Sequence, residues 1–264
     1  FGREWKVFNH SGILSHDLES IFNDYFSIFP LEKLHKNSVG FDMGCGTGRW
    51  AKLIAAKVKC LHCIDASELA LKQAKINLSD FPNCEFECAS VQDSSLKSHS
   101  QDFGYCLGVL HHIPDTLEGL RACADKLKSG APFLLYLYYR FDNKPLWYRF
   151  VWRLTDIARL IICKLPFPVK FFVSQIIAFF IYYPLSRIAL LLEKMMLDVS
   201  NVPLADYRKK SIYVLRTDAL DRFGTRIEKR FTKKEIREMM IEAGFKNISF
   251  RQDSPYWVAI GTKS

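Results

Sequence analysis

The sequence predicts an α/β fold: a Rossmann-like, doubly wound sheet, mostly parallel, ending in an antiparallel C-terminal hairpin strand and carrying an inserted helical cap. Three observations predict it. Short apolar runs alternate with amphipathic stretches over residues 39–139. A turn with glycine at alternate positions, Gly44-Cys45-Gly46-Thr47-Gly48, joins the first apolar run to a helix-like stretch. Over 143–210 the alternation gives way to a basic, aromatic segment punctuated by Pro166, Pro168, Pro184 and Pro203.

The elements follow in order. Leu18, Ile21, Phe22, Tyr25 and Phe26 fall at helical spacing over 17–29, and Pro30 ends that helix. Strands are expected over 39–42, 59–65, 84–89, 103–109 and 132–139, with helices over 49–56, 68–78 and 116–128 between them. Ligands of such sheets bind beyond the carboxyl ends of the strands. The glycine turn, Asp65, Ser90 and residues 107–112 all follow strand ends and so belong to one edge. After Phe231, Thr232 caps a helix that runs to Ala243, and Gly244 stops it. Strands over 247–252 and 256–262, joined by Asp253-Ser254-Pro255, form the hairpin. Three parts result: a lead-in and cofactor-binding half (1–142), the inserted cap (143–210) and a closing part (211–264).

The chain has 264 residues, 49% of them hydrophobic, enough for a substantial core. Its formal net charge is +9, and the 143–210 segment, with eleven Lys or Arg against four Asp or Glu, supplies +7 of it. A basic surface suits nucleic acid, an anionic membrane or an acidic substrate. The eight cysteines lack disulfide-framework spacing and several lie in apolar runs, which predicts reduced thiols in a cytoplasmic protein. No signal peptide is read, and the sequence begins at Phe1 rather than Met. The longest uncharged run, 171–186, is 16 residues and interrupted by Pro184; as a helix it spans roughly 24 Å, short of a ~30 Å hydrocarbon core, so a transmembrane helix is not expected. Trp147, Phe150, Val151, Leu154, Ile157, Ala158 and Ile161 share one helical face. The insert is therefore read either as a helical cap that buries its apolar stripe against the sheet domain or a second subunit, or as a hydrophobic lid over the acceptor pocket or an interfacial helix peripheral to the inner face of the membrane, with the cap slightly favoured.

The glycine turn narrows the ligand. Free backbone N–H groups at a strand-to-helix turn face whatever lies above them. The third glycine comes one residue early for a dinucleotide fingerprint, and no Lys-Ser or Lys-Thr pair follows for a phosphate-cradling loop. Asp42 puts a negative charge at the mouth of the turn, which repels pyrophosphate and attracts a cation.

The run Phe41-Asp42-Met43-Gly44-Cys45-Gly46-Thr47-Gly48-Arg49-Trp50 resembles the first motif of class I S-adenosylmethionine-dependent methyltransferases. Cys-Ile-Asp-Ala-Ser ending at Ser67, Ala-Ser-Val-Gln-Asp ending at Asp93, Leu107-Gly-Val-Leu-His-His-Ile-Pro-Asp115 and the helix ending Ala243-Gly244-Phe245 resemble that family's later motifs in order and spacing. The likeness is strongest to the branch holding ubiquinone and menaquinone biosynthesis methyltransferases, covers 39–139 and 231–262, and leaves the insert outside it. It implies S-adenosyl-L-methionine as cofactor and S-adenosyl-L-homocysteine as product. It also implies Asp42, Gly44, Cys45, Gly46 and Gly48 around the methionine portion, Asp65 on the ribose hydroxyls with Ala66 beside the adenine, and Leu107 and Gly108 presenting backbone. At the third strand's exit relatives often place an acid; here Ser90, followed by Val91, stands there and Asp93 lies three residues on.

Methyl transfer is an in-line displacement, so alignment supplies much of the catalysis, and a base is needed where the acceptor loses a proton. His112 and His111 are the candidate bases, with His112 ahead. Tyr138, Tyr139, Tyr207, Tyr213 and Arg216 are candidate acceptor contacts, the last three equally readable as a structural junction. Trp5 and Phe8 are read as core, with a lid as the alternative. Cys60-x-x-Cys63 has no second pair and lies in a strand, so no metal is expected. The leading function is methyl transfer to a small-molecule, apolar or lipid-linked acceptor, with an anionic membrane surface as a further partner. RNA or protein methylation is the enzymatic alternative; no RNA-binding signature and no Asn/Asp-Pro-Pro-aromatic tetrapeptide supports nucleic acid. A non-catalytic cofactor-binding scaffold is the third reading. The sequence is silent on the acceptor atom and on oligomeric state.

Overall fold

The computed structural model describes residues 15–264. Trp5 and Phe8 lie outside them. In chain order the elements are α1 (Ser15–Phe26), β1 (Val39–Met43), α2 (Ala51–Ala55), β2 (Cys60–Asp65), α3 (Glu68–Asn77), β3 (Cys84–Cys88), β4 (Phe103–Leu107), α4 (Thr116–Lys126), β5 (Pro132–Tyr136), α5 (Leu146–Ile162), α6 (Phe167–Ile177), α7 (Tyr183–Lys194), α8 (Ile212–Gly224), α9 (Lys233–Glu242), β6 (Phe245–Phe250) and β7 (Ala259–Lys263). The strands form one seven-stranded sheet in the order β3-β2-β1-β4-β5-β7-β6. The first five pair in parallel, and β7 runs antiparallel to both β5 and β6. The expected architecture is thus the observed one, and the order reverses between β1 and β4, where an open sheet leaves a crevice at its carboxyl edge.

Close packing at that reversal rests on two glycines. Gly40 pairs with Phe103 and Gly104 with Phe41 across β1 and β4. Both rings are fully buried. A Cβ on Gly40 would stand 2.4 Å from the Phe103 ring, and one on Gly104 would stand 2.3 Å from the Phe41 ring. Each ring fills the space beside the bare backbone of the neighbouring strand, one on each face of the sheet. Gly104→Ala is therefore expected to lower stability by about 1–3 kcal/mol. Thermal melting checks this, and an unchanged midpoint would mean that the ring shifts without penalty.

The chain divides into two units, one containing Leu18–Arg140 and Lys229–Ser264, the other containing Phe141–Glu228. The second runs past the expected limit at Lys210 because α8 belongs to it. Ala178 and Tyr182 pack with Leu215, Ala219 and Phe223 of α8 as one buried cluster. Polar struts add to it: Lys170 Nζ donates to Gly224 O (2.8 Å), Arg216 Nε to Gln175 Oε1 (2.6 Å), and Arg222 Nη2 to Thr155 Oγ1 (3.1 Å).

A second departure concerns helix length. α6, a π turn over Ala178–Tyr182 and α7 form one continuous helix, Phe167–Lys194, of 28 residues. At 1.5 Å per residue it is roughly 42 Å long. By length and composition it qualifies to cross a membrane, against the expectation from the shorter uncharged run. Pro184 does not end it, because the wider π turn just ahead relieves the clash of the ring with the preceding turn.

Candidate cofactor and acceptor site

The glycine turn is held by the strand beside it. Gly44 N and Cys45 N both donate to Ile64 O, at 2.7 and 3.0 Å. Gly44 has a φ of +79°, and a Cβ there would lie 2.3 Å from the Val109 side chain. The turn therefore passes tightly beneath the loop after β4. Gly108, at φ +80°, meets nothing on the side where a Cβ would stand. Open space thus faces backbone at the mouth of the crevice.

Asp65 ties the turn to the start of α3. Its Oδ2 accepts from Gly46 N and its Oδ1 from Ser67 N, both at 2.8 Å. Ser67 in turn caps α3, accepting from Ala70 N. Both Asp65 oxygens thus act as acceptors at the turn. Ala66 beside it is exposed. At the exit of β3, Ser90 donates its hydroxyl proton to Asp93 Oδ2 (2.6 Å). Ser90 is left with acceptor capacity only, and Val91 behind it is buried.

Asp42 sits deeper. Its residue is 1% exposed, and Oδ2 is buried with no hydrogen-bond partner among the described residues. Burial pushes the carboxyl up to about 8; the nearby Tyr105 hydroxyl draws it back, Asp65 adds to the rise and Arg49 opposes it. A buried carboxyl with an unused oxygen is the counterpart of a cationic group, not of a phosphate. Asp42, beneath the turn at Gly44 and Gly46, therefore fits a ligand that carries a positive charge, and Asp65 sets a second acidic acceptor beside that turn.

The loop after β4 carries the histidines. The His111 ring is fully buried, stacked on Tyr138 at 3.8 Å between centroids and 4.0 Å from the His112 ring. Neither ring nitrogen of His111 has a hydrogen-bond partner among the described residues. Burial, then His112 and Arg230, hold it well below the ordinary histidine range, so the ring is neutral at physiological pH. His112 is half-buried. Tyr139 packs on Tyr256 at 5.3 Å between ring centroids.

Sequence reasoning missed Arg230. Its guanidinium lies 5.1 Å from the Tyr138 ring centroid, and Lys229 N donates to His111 O at 3.0 Å. Phe231 N donates to Tyr138 O and Arg140 N to Phe231 O. The pairing joins segments about ninety residues apart, and no local pattern announces it. Tyr25 and Tyr136 extend the aromatic surface, edge to face at 4.9 Å, with Trp50 5.3 Å from Tyr25. Tyr207, Tyr213 and Arg216 belong to the helical unit. There Tyr207 packs on Tyr182 and the Arg216 guanidinium is engaged by Gln175.

Cys60 and Cys63 do not form a pair. Cys63 is buried, whereas Cys60 Sγ lies 3.8 Å from His62 Nε2, and Glu85 stands 3.2 Å from His62 Nδ1.

Residues 41–130 match the model of a methyltransferase domain. A ubiquinone biosynthesis O-methyltransferase of Neisseria meningitidis is 33% identical over 91 residues, 33% of this chain and 38% of that protein. One of Nitrosospira multiformis is 33% identical over 136 residues, 48% of this chain and 57% of that protein. The chain thus spans about half or less of these relatives. Among solved structures, an S-adenosylmethionine-dependent methyltransferase of Thermotoga maritima superposes with a TM-score of 0.50 at 14% identity, over 99% of this chain and all of that one, which bears on the fold alone.

Proposed function

We propose, from the premise that this chain carries a class I S-adenosylmethionine-dependent methyltransferase domain, that it methylates a hydroxyl of a small, apolar, lipid-linked acceptor. The observation that carries the reading is Asp42: a buried carboxyl under a glycine turn, with one oxygen left unpartnered among the described residues, selects a cation. Asp42 and the turn would hold the methionine portion of S-adenosyl-L-methionine, Asp65 its ribose hydroxyls, and Ser90 with Val91 its adenine. When bound, that molecule supplies a sulfonium methyl already activated for displacement, leaving as S-adenosyl-L-homocysteine. The names of the curated relatives support an oxygen acceptor of the quinone kind. Such an acceptor resides in a bilayer, which gives the enzyme a working place at the inner membrane surface.

His112 is the base in this reading. A general base must reach the proton it takes, and half-burial leaves His112 accessible to an acceptor. His111, held neutral by burial, is the poorer proton acceptor. Its stacked ring positions Tyr138 and His112. Calorimetric titration with S-adenosyl-L-methionine tests the cofactor reading, and absence of binding would remove it. For the base, His112→Ala is expected to reduce turnover by about 10²–10⁴-fold while cofactor affinity stays within a few-fold. Unchanged turnover would take that role from His112.

A further inference from the structure

We propose that the Phe141–Glu228 unit docks on an anionic bilayer, with the Phe167–Lys194 helix lying along the surface and its outward face in the headgroup region. The proposal deepens the lipid-linked reading by naming the structural element that meets the membrane.

The two faces of that helix have opposite characters. Ser174, Ala178, Tyr182, Ser186 and Ala189 are buried and recur every three or four residues. Mostly small, they let the helix lie close against its neighbours in the unit. On the far side Phe172 is 65% exposed, Ile176 42%, Phe180 76% and Leu191 58%. α5 repeats the arrangement. Arg159 donates inward to Thr225 O and Thr155 accepts from Arg222, while Phe150, Leu154, Ile157 and Ile161 are exposed. Single exposed apolar residues are ordinary on a protein surface; two long stripes in one unit mark an interaction site.

Charge chooses the occupant. Arg153, Lys164 and Lys194 are exposed among these residues and give the outward side a positive charge. A second copy would bring the same charge to the same face and be repelled. An anionic leaflet attracts it while accepting the apolar side chains. Insertion across the bilayer conflicts with the inner face. Lys170, Gln175 and Arg187 are bonded along its length to Gly224 O, Arg216 and the carbonyls of Arg208 and Lys210. A crossing helix would carry those charges and α8, with Asp218 and Asp221, into hydrocarbon.

The test is flotation of the full chain with vesicles of phosphatidylcholine and phosphatidylglycerol in equal parts, and with phosphatidylcholine alone. Binding is expected to the mixed vesicles, about tenfold weaker to the neutral ones, and weaker as salt rises. Arg153→Glu with Lys164→Glu, both exposed and so expected to leave the melting point unchanged, should weaken binding to mixed vesicles by roughly tenfold or more. Phe172→Ser with Phe180→Ser should remove binding to both. A protein that binds S-adenosyl-L-methionine in solution but ignores mixed vesicles at low salt overturns the docking and leaves the methyltransferase reading standing. Vesicle binding without cofactor binding does the reverse. A dimer in light scattering that the Phe172→Ser, Phe180→Ser chain loses, with vesicle binding unaltered, would give the face to a second copy and also overturn the docking.

Discussion

Asp42→Asn is expected to raise the stability of the ligand-free protein while weakening S-adenosyl-L-methionine binding by about a hundredfold. Both effects come from one oxygen. The carboxyl is fully buried, Oδ2 has no partner among the described residues, and its pKa stands at about 8 rather than 3.8. Below pH 3.8 the group is protonated in folded and unfolded chains alike and favours neither. Between 3.8 and about 8 the unfolded chain has released its proton while the folded chain keeps it. Stability therefore falls as pH rises through that window and levels off above about 8. At about 1.4 kcal/mol per pKa unit, a few kcal/mol are at stake near neutrality. The amide has no proton to release, so the variant's melting temperature should lose this slope and exceed the parent's at pH 7. An identical slope in the two proteins would show that Asp42 is not its source.

The same proton reports on binding. A cation placed against Asp42 favours the carboxylate, so binding below about pH 8 expels a proton. Affinity for the cofactor should rise with pH up to about 8, by at most roughly tenfold per unit, and then flatten. In Asp42→Asn this rise should vanish. Isothermal titration in two buffers of different ionisation enthalpy counts the released proton directly. Stability given up at a buried carboxyl is in this way recovered when the ligand arrives, a common arrangement at binding sites.

What the sequence made legible was local. The glycine turn, Asp65 and the strand ends lie within short windows whose spacing fixes backbone direction, and the observed strands begin and end within three residues of expectation. Nonlocal matters were hidden. The His111 ring is neutral because it is buried, with the His112 ring and the Arg230 charge adding to the effect, and Arg230 arrives through a bridge between Tyr139 and Phe231. The limit of the insert moved to Glu228 because the packing partners of α8 are α5 and the long helix, which residue order alone does not reveal. Pro184 read as a break because the π turn that accommodates it has no sequence signature of comparable strength.

Asp65 sets the second large expectation, since in the proposed reading it serves the fold and the ligand with the same two oxygens. Asp65→Ala strands the N–H groups of Gly46 and Ser67, each now in a charge-assisted bond of 2.8 Å. Bonds of that kind contribute about 1.5–3 kcal/mol each. Asp65 is only half-buried, so water would recover part of this, and a loss of roughly 2–4 kcal/mol is expected. Asp65→Asn separates the two duties. Its carbonyl oxygen satisfies one N–H, while its NH₂ group faces the other as a donor against a donor. About half the stability loss should remain, yet ribose hydroxyls would find one acceptor where they need two, and cofactor affinity should fall by roughly tenfold to a hundredfold. Melting curves and calorimetry on both variants measure the two duties separately. Unimpaired binding by Asp65→Asn would confine Asp65 to holding the turn and move the ribose contact elsewhere along the strand ends.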